Sequence, residues 1–242
     1  VPGALMVLMY SYILKKSPGP FPNMLENCLG KVFGKIVGFV YIVIFLTGAA
    51  ATLGIFISFI GSSIVPDTPL SVYISLMLLV SYYVLKTGLE NLARVSELLI
   101  LFGIPLSFII VLISLLHSPD TKNLLPIAYV SYKSFAYGTY EGFIIMSNMI
   151  AILVLAYFST NREKIPRILF YVLITYISLI ALTAAVTIML FGSDYTNIST
   201  WPTFKLVRAI TIGDFIQNID AAFIALWITG IFGSIAVKWF LA

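Results

Sequence analysis

The chain has 242 residues, of which 60% are hydrophobic and 10% are charged, with a net charge of +4 and a mean hydropathy of +1.05. Soluble domains carry about 25% charged residues, so a soluble core of this size could not hide so much apolar surface, and lipid must surround most of the chain. The basic residues are dispersed along the sequence, which argues against a nucleic-acid-binding patch.

Residue types that form enzyme and metal sites are scarce. One cysteine, Cys28, excludes an intrachain disulfide framework and a cysteine-based metal centre, and one histidine, His117, excludes a histidine-rich metal site. The sequence contains no HExxH, Walker A or GxSxG motif. It therefore predicts no enzymatic activity, no cofactor and no metal site.

The chain begins with an apolar segment, residues 1–14, that is too short to span a bilayer. It lacks the basic region that begins a signal peptide, so we interpret it as part of a longer helix and the chain as a fragment of a larger protein. The next apolar run, residues 36–60, is long enough to span and contains small residues at 48–54. Small residues allow close helix packing in lipid. The alternative is that this helix faces a substrate cavity through Tyr41, Phe45, Thr47 and Gly48.

Five further spans are predicted, at residues 70–85, 91–116, 136–158, 168–191 and 215–239. Glu90 and Arg94 are four residues apart and can pair on one helix face, and Pro105 is expected to kink its helix because proline lacks a backbone donor. Residues 203–213 are predicted to form a helix that lies along the membrane interface. The sequence thus predicts an all-α, polytopic membrane protein.

The span at 136–158 opens with an acid among glycines and aromatic residues, at residues 137–143. An acid inside a membrane span is a functional-site hypothesis by default, and paired glycines favour a helix that opens its backbone toward a ligand. Because residues 138–158 contain no proline, any helix break must rest on Gly138, Gly142 and the pair Ser147-Asn148. The alternative is that Glu141 bonds to a partner helix or reaches outer water.

The distribution of basic residues predicts the orientation. If the first segment ends inside, ten of the 14 basic residues lie on the inner side and four lie outside, as the positive-inside rule requires. The outer four are Lys122, Lys133, Lys205 and Arg208; Lys238 is counted among the inner ten. This topology places Glu141 and Asp220 in the outer halves of their helices, although their spacing does not show that they meet. Asp220 has the alternative of pairing with Lys205 or Arg208.

Four stretches resemble the B-subunit family of spore germinant receptors. They are Leu14-Lys15-Lys16-Ser17-Pro18-Gly19 followed by Leu29-Gly30-Lys31, Gly88-Leu89-Glu90-Asn91-Leu92-Ala93-Arg94, Leu124-Leu125-Pro126-Ile127, and Asn218-Ile219-Asp220 ahead of Trp227. The resemblance runs over most of the chain, and the Gly-Leu-Glu-…-Ala-Arg stretch is its most specific element.

This resemblance implies a fold similar to that of amino acid/polyamine/organocation transporters, with ten helices in two inverted five-helix repeats. Residues 1–242 would be one transmembrane domain covering the second to the eighth helix, without the first, ninth and tenth. Members lie in the inner membrane of the bacterial spore. They sense small germinants, such as amino acids or sugars, together with A and C subunits.

In that fold the broken first and sixth helices, with the third and eighth, surround the ligand. The expected ligand-binding residues, chosen by helix position and residue type, come from the third, sixth and eighth helices. They are Tyr41, Phe45, Thr47 and Gly48; Gly138, Tyr140, Glu141, Gly142 and Met146; and Asp220, Phe223 and Trp227.

Three functions remain open at this stage. A germinant-sensing receptor subunit is favoured, in which ligand binding near the bilayer midplane shifts the populations of two conformations. An amino-acid or cation-coupled transporter would need a sodium site or a titrating acid such as Glu141 or Asp220. A water or ion pore would be lined by the same two acids.

Overall fold

A computed structural model of the chain describes residues 2–16, 19–116, 119–125, 131–210 and 219–242. Within these ranges the regular elements are helices, with no strand. The α-helices are α1 (Pro2–Lys16), α2 (Phe21–Leu29), α3 (Lys31–Ser63), α4 (Leu70–Lys86), α5 (Leu89–Ser114), α6 (Tyr132–Ser147), α7 (Ala151–Leu155), α8 (Ile165–Phe191), α9 (Ser193–Ile198), α10 (Pro202–Ala209) and α11 (Ile219–Leu241). Short 3-10 helices extend α6, α7 and the start of α8, and another covers Thr121–Leu124.

Five helical segments in the described ranges are long and apolar enough to cross a membrane. They are Lys31–Ser63, Leu89–Ser114, Tyr132–Phe158, Arg162–Phe191 and Asp220–Leu241. At 17 residues, or about 26 Å, α4 is at the lower limit for a bilayer, and α1 has 15 residues. The prediction of an all-α, polytopic membrane protein is confirmed.

The apolar helices leave most of their side chains uncovered. In no spanning segment is more than 22% of the most apolar window buried within the protein. Exposed leucine, isoleucine and phenylalanine side chains on every face would be unfavourable in water, so the surrounding solvent must itself be apolar.

Helix bounds differ from the sequence prediction mainly because polar residues at helix ends do not stop a helix. The span predicted at residues 36–60 corresponds to α3, which extends further, from Lys31 to Ser63. Its flanking lysine and serine residues are compatible with helical backbone. The Gly-Leu-Glu stretch begins α5, whose first residue is Leu89. Gly88 precedes the helix with a φ of +92°, a left-handed conformation that glycine adopts without strain. Parts of three other family-like stretches, at 17–18, 126–127 and 218, lie outside the described residues, as does the start of the predicted 215–239 span.

The chain forms two compact units, the first from residues 1–43, 126–178 and 241, and the second from residues 44–125, 179–240 and 242. In the first unit α1 packs against α6, α7 and α8. Its buried residues are Met6, Val7, Tyr10, Leu153, Ala156, Ile165, Leu169 and Leu173. Within the same unit, α2 lies directly against the start of α3 at Gly34.

The second unit has an aromatic core formed by α3, α4, α10 and α11. Its buried residues are Ala49, Phe56, Phe59, Ile60, Tyr73, Met77, Phe204, Ile231 and Ile235. The amphipathic helix α10 corresponds to the predicted interfacial helix at 203–213, of which residues 211–213 lie outside the described ranges. Its apolar face is buried at Phe204, Leu206 and Val207, and these side chains also contact residues of α5 and α8.

Candidate functional site

An apolar cavity of about 410 Å³ lies between α5 and α11 in the second unit. Two predicted ligand-binding residues, Phe223 and Trp227, line its wall on α11. Gly103 and Ser107 line the facing wall on α5. The volume falls within the range of about 300–1,000 Å³ that is usual for small-molecule pockets.

Two glycines on opposite walls leave room for this cavity. A Cβ atom added at Gly103 or Gly230 would meet no atom within 4 Å. Phe223 and Trp227 are four residues apart and therefore share one face of α11. The Trp227 ring is held by Phe59, whose centroid lies 4.3 Å away.

The cavity offers few hydrogen-bonding groups to a ligand. The Ser107 hydroxyl donates to the Gly103 carbonyl oxygen on its own helix, at 2.8 Å. The remaining lining consists of leucine, isoleucine, glycine and the two aromatic side chains. Apolar burial would therefore dominate the binding of a ligand here.

Lys238 on α11 lies against the middle of α3. Its Nζ donates to the Thr52 hydroxyl at 2.6 Å and to the Gly48 carbonyl oxygen at 3.2 Å. Gly48 follows Lys31 by 17 residues and precedes Ser63 by 15, so the ammonium lies about 25 Å and about 22 Å of helix length from the two ends of α3. Lys238 lies in the last turn of α11, at the helix end where it was predicted, and its ammonium reaches this position on α3.

The stem of Lys238 lies over Gly48 on the surface of α3. A Cβ atom at this position would stand 3.7 Å from Cδ and 3.8 Å from Cε of Lys238, which is ordinary contact distance. An ionisable residue inside an apolar span is costly and needs polar partners, which the Gly48 carbonyl and the Thr52 hydroxyl supply. Gly48 was predicted to face a cavity, and its observed neighbour is this lysine.

Asp220 forms an ion pair with Arg208 at the N-terminal end of α11. The Arg208 Nε and Asp220 Oδ2 atoms are 3.6 Å apart, and the aspartate side chain is only 26% exposed. Arg208 also lies over the Phe204 ring at 4.5 Å and donates to the Ser63 carbonyl oxygen at 3.4 Å. Of the two partners expected for Asp220, the structure therefore selects Arg208, while Lys205 contacts Tyr195 and Ser199.

Glu141 has a partner on its own helix. The Tyr137 hydroxyl and the Glu141 carboxylate lie one turn apart on α6 and interact with each other. Tyr140 is 60% exposed, and the other residues of the first half of α6 are exposed as well. Glu141 itself, by contrast, is half-buried.

The helix α6 is not broken at its glycines. α6 continues through Gly138 and Gly142, where an added Cβ atom would meet no atom within 4 Å. The backbone changes at the third predicted position, the pair Ser147-Asn148, where α-helix gives way to 3-10 helix over Asn148–Ile150. Glycine permits a break but does not require one, and no contact within the first unit imposes one here.

The four remaining predicted ligand-binding residues, Met146, Tyr41, Phe45 and Thr47, each have different neighbours. Met146 packs against the core of the first unit and lines a separate apolar cavity of about 270 Å³ with Tyr176. Tyr41 stacks edge-on against Phe21 with centroids 5.1 Å apart. Phe45 is buried, and the Thr47 hydroxyl donates to the Ile44 carbonyl oxygen on its own helix at 3.1 Å.

The twelve predicted residues divide evenly between the two units. Tyr41, Gly138, Tyr140, Glu141, Gly142 and Met146 belong to the first, and Phe45, Thr47, Gly48, Asp220, Phe223 and Trp227 belong to the second. The structure brings Phe223 and Trp227 together on one cavity wall, and their assignment as ligand-binding residues stays a prediction.

Sequence reasoning missed Gly103, Ser107 and Lys238. A glycine and a serine four residues apart in an apolar span were the available signal on α5.

Long apolar helices, with a lysine that contacts the middle of a neighbouring helix, define the class of the protein, which is a polytopic helical membrane protein. The profile of the spore permease family, described as "Spore germination protein", matches residues 1–242. The chain belongs to this family, and the resemblance to germinant receptor B subunits is confirmed. It is a membrane protein related to spore germination.

Two proteins of Bacillus subtilis (strain 168) are similar to the chain. Spore germination protein KB is 28% identical over 239 residues, which cover 95% of this chain and 63% of that protein. YfkT, whose name also assigns it to spore germination, is 26% identical over 211 residues, which cover 85% of this chain and 56% of that protein. The chain thus spans less than two thirds of the length of either relative. No solved structure matches the chain.

Proposed function

We propose that the chain is the membrane part of a germinant receptor B subunit that senses a small nutrient in the cavity between α5 and α11. The observation that carries this proposal is that Phe223 and Trp227, both expected at a ligand site, line one cavity of about 410 Å³. The family of the chain supports a role in germination. In this proposal the protein lies in the inner membrane of the spore.

The lining of the cavity favours an amino acid with an apolar side chain over a sugar, provided that its charged α-ammonium and α-carboxylate groups lie at the open mouth of the cavity and find polar partners outside these walls. A sugar carries several hydroxyl groups, and each one buried without a partner would cost about 1–3 kcal/mol. The Ser107 hydroxyl is directed at its own helix, so the walls offer little compensation. An apolar side chain would instead gain free energy by contact with the Phe223 and Trp227 rings.

Signal transmission would follow from the position of the cavity between two helices. A ligand that contacts α5 and α11 together stabilises the arrangement in which both walls touch it, and so shifts the conformational population. In this proposal the shift is passed to A and C subunits. No step of the proposal requires the ligand to cross the membrane.

An amino-acid transporter is the second candidate, and Lys238 is the observation in its favour. Ionisable residues inside membrane spans mark ion and substrate pathways in pumps and transporters. Uptake of a labelled L-amino acid into proteoliposomes that contain the full-length protein would support this candidate. Absence of uptake, with germination activity retained, would support the sensor.

The test is germination of spores that carry Gly103→Leu in the full-length protein. A leucine side chain would fill the cavity, and we expect at least a tenfold higher concentration of L-alanine, L-valine or L-leucine for half-maximal germination. Gly54→Leu is the matched control, because Gly54 is also a helical glycine with open space around it but lies outside the cavity. Equal responses of the two variants would contradict the proposal, and a response to glucose alone would contradict the ligand class.

A further inference from the structure

The first unit contains a second pocket with a different character, at the end where α1 finishes and α8 begins. Its volume is about 610 Å³. Two basic residues, Lys15 and Arg162, and one acidic residue, Glu163, line it. Its deeper wall is apolar and includes Leu153 and Ala156, which are buried in the core of the unit.

Arg162 is held in place at this pocket. Its Nη2 donates to the Tyr157 carbonyl oxygen at 2.8 Å, and its guanidinium lies 5.2 Å from the centroid of the Tyr157 ring. A guanidinium that is already oriented loses less conformational entropy on binding an anion than a mobile side chain does. Lys15 is exposed at the end of α1 and supplies a second positive charge from another helix.

The surroundings add further positive charge. Lys16 follows Lys15 directly, and Lys164 and Arg167 flank the start of α8; all three are exposed. The pocket therefore lies among the basic residues that predict the inner side of the membrane, where a helix end meets the headgroups. Basic pockets between helices on this side are suited to anionic lipid headgroups.

We propose that this pocket binds the headgroup of an anionic phospholipid of the phosphatidylglycerol type. Arg162 and Lys15 would contact the phosphate, and the apolar wall at Leu153 and Ala156 would accommodate the glycerol and the first part of an acyl chain. Glu163 lies at the same pocket and repels the phosphate, so it weakens binding. This site is separate from the cavity between α5 and α11 and does not depend on the function proposed for that cavity.

The test measures lipid retention by native mass spectrometry of the full-length protein in a neutral detergent. The protein is titrated with phosphatidylglycerol and, in a parallel series, with phosphatidylcholine of the same acyl chains. We expect about tenfold preference for phosphatidylglycerol, and loss of that preference in the double variant Lys15→Gln/Arg162→Gln. Lys86→Gln/Arg94→Gln is the matched control, since it removes two exposed inner basic residues outside the pocket and should retain the preference.

A third variant separates binding from folding. Glu163→Gln removes the repelling charge, and we expect it to raise phosphatidylglycerol retention about fivefold. Equal retention of both lipids by the wild-type protein, or an unchanged preference in both pocket variants, would overturn the proposal. Displacement of phosphatidylglycerol by millimolar inorganic phosphate would also overturn it, because the site would then bind free phosphate without the apolar contacts that define a lipid site.

Discussion

The contact between Lys238 and α3 is the most informative interaction at the scale of single residues. It joins positions 186 and 190 residues apart, and its donor is a charged group within an apolar span. The Thr52 hydroxyl also donates to the Gly48 carbonyl oxygen at 2.9 Å, so the three groups form one small polar network. Such a network rigidifies a helix interface as long as each member has its partners.

Thr52→Val tests this network by replacing the hydroxyl with a methyl group of similar size. The lysine would keep only the Gly48 carbonyl oxygen, and we expect a loss of about 1–2 kcal/mol in the free energy of unfolding. Thermal unfolding of the full-length protein in mild detergent measures the loss. Thr229→Val is the control, because the Thr229 hydroxyl donates to the carbonyl oxygen of Ala225 on its own helix. Equal midpoints for the two variants would show that the network does not stabilise the interface.

The residue scale also shows what local sequence can predict. The pair Glu90 and Arg94 is confirmed, with Nη2 and Oε1 2.8 Å apart, because helical spacing alone brings the two side chains together. Arg208 was one of two partners expected for Asp220, since both lie near the same predicted helix end. Lys238 could not be placed, because its partners are determined by which helices pack together and not by its neighbours in sequence.

At the scale of elements, the packing of α2 against α3 depends on one glycine. A Cβ atom at Gly34 would lie 2.8 Å from the Glu26 Cα atom and 2.9 Å from the Glu26 nitrogen, which are backbone atoms and cannot rotate away. The absence of a side chain therefore allows the two helices to touch. The nearby Leu29-Gly30-Lys31 stretch is visible in the sequence, but the sequence alone does not specify which glycine lies close to a neighbouring helix.

Gly34→Ala should force these helices apart. We expect destabilisation of about 1–3 kcal/mol, as for other overpacked sites, even though alanine favours helix more than glycine does. Gly38→Ala, one turn further along α3, would meet only the Leu25 Cδ1 atom at 3.8 Å and should be neutral or slightly stabilising. Thermal unfolding of both variants gives the comparison, and a Gly34→Ala midpoint at or above that of Gly38→Ala would refute the close approach.

The segment Tyr132–Phe158 stays helical at two of the three positions where a break was predicted and changes its backbone at the third. An acid and two glycines indicated an opened backbone, yet α6 is regular through both glycines and only tightens at Asn148. Helix breaks in membranes need a ligand, water or a neighbouring helix to satisfy the freed backbone groups. The sequence gives the permissive residues but does not specify such partners.

At the scale of the whole molecule, hydrophobicity and charge distribution predicted most of the architecture. Five apolar spans and the shorter α4 were expected as helices, because length and hydropathy alone specify a membrane helix. The cavity could not be predicted in full, since its α5 wall depends on packing between helices. The two compact units likewise follow from long-range contacts and not from any composition shift along the chain.

The predicted orientation can be tested with single cysteines. In a Cys28→Ser background, Lys86→Cys and Lys164→Cys should react with an impermeant maleimide only in inside-out vesicles, and Asp67→Cys and Asp120→Cys only in right-side-out vesicles. All four positions are exposed in loops or at helix ends. Labelling of Lys86→Cys and Asp67→Cys from the same side would contradict the orientation.

Direct ligand binding tests the central claim that the cavity between α5 and α11 is a nutrient site. Equilibrium dialysis of the purified full-length protein would use the radiolabelled L-amino acid that is most effective in the spore assay. We predict saturable binding to the wild-type protein and to Gly54→Leu, and at least tenfold weaker binding to Gly103→Leu, whose side chain occupies the cavity. Binding of equal strength to all three proteins would show that the nutrient does not occupy this cavity.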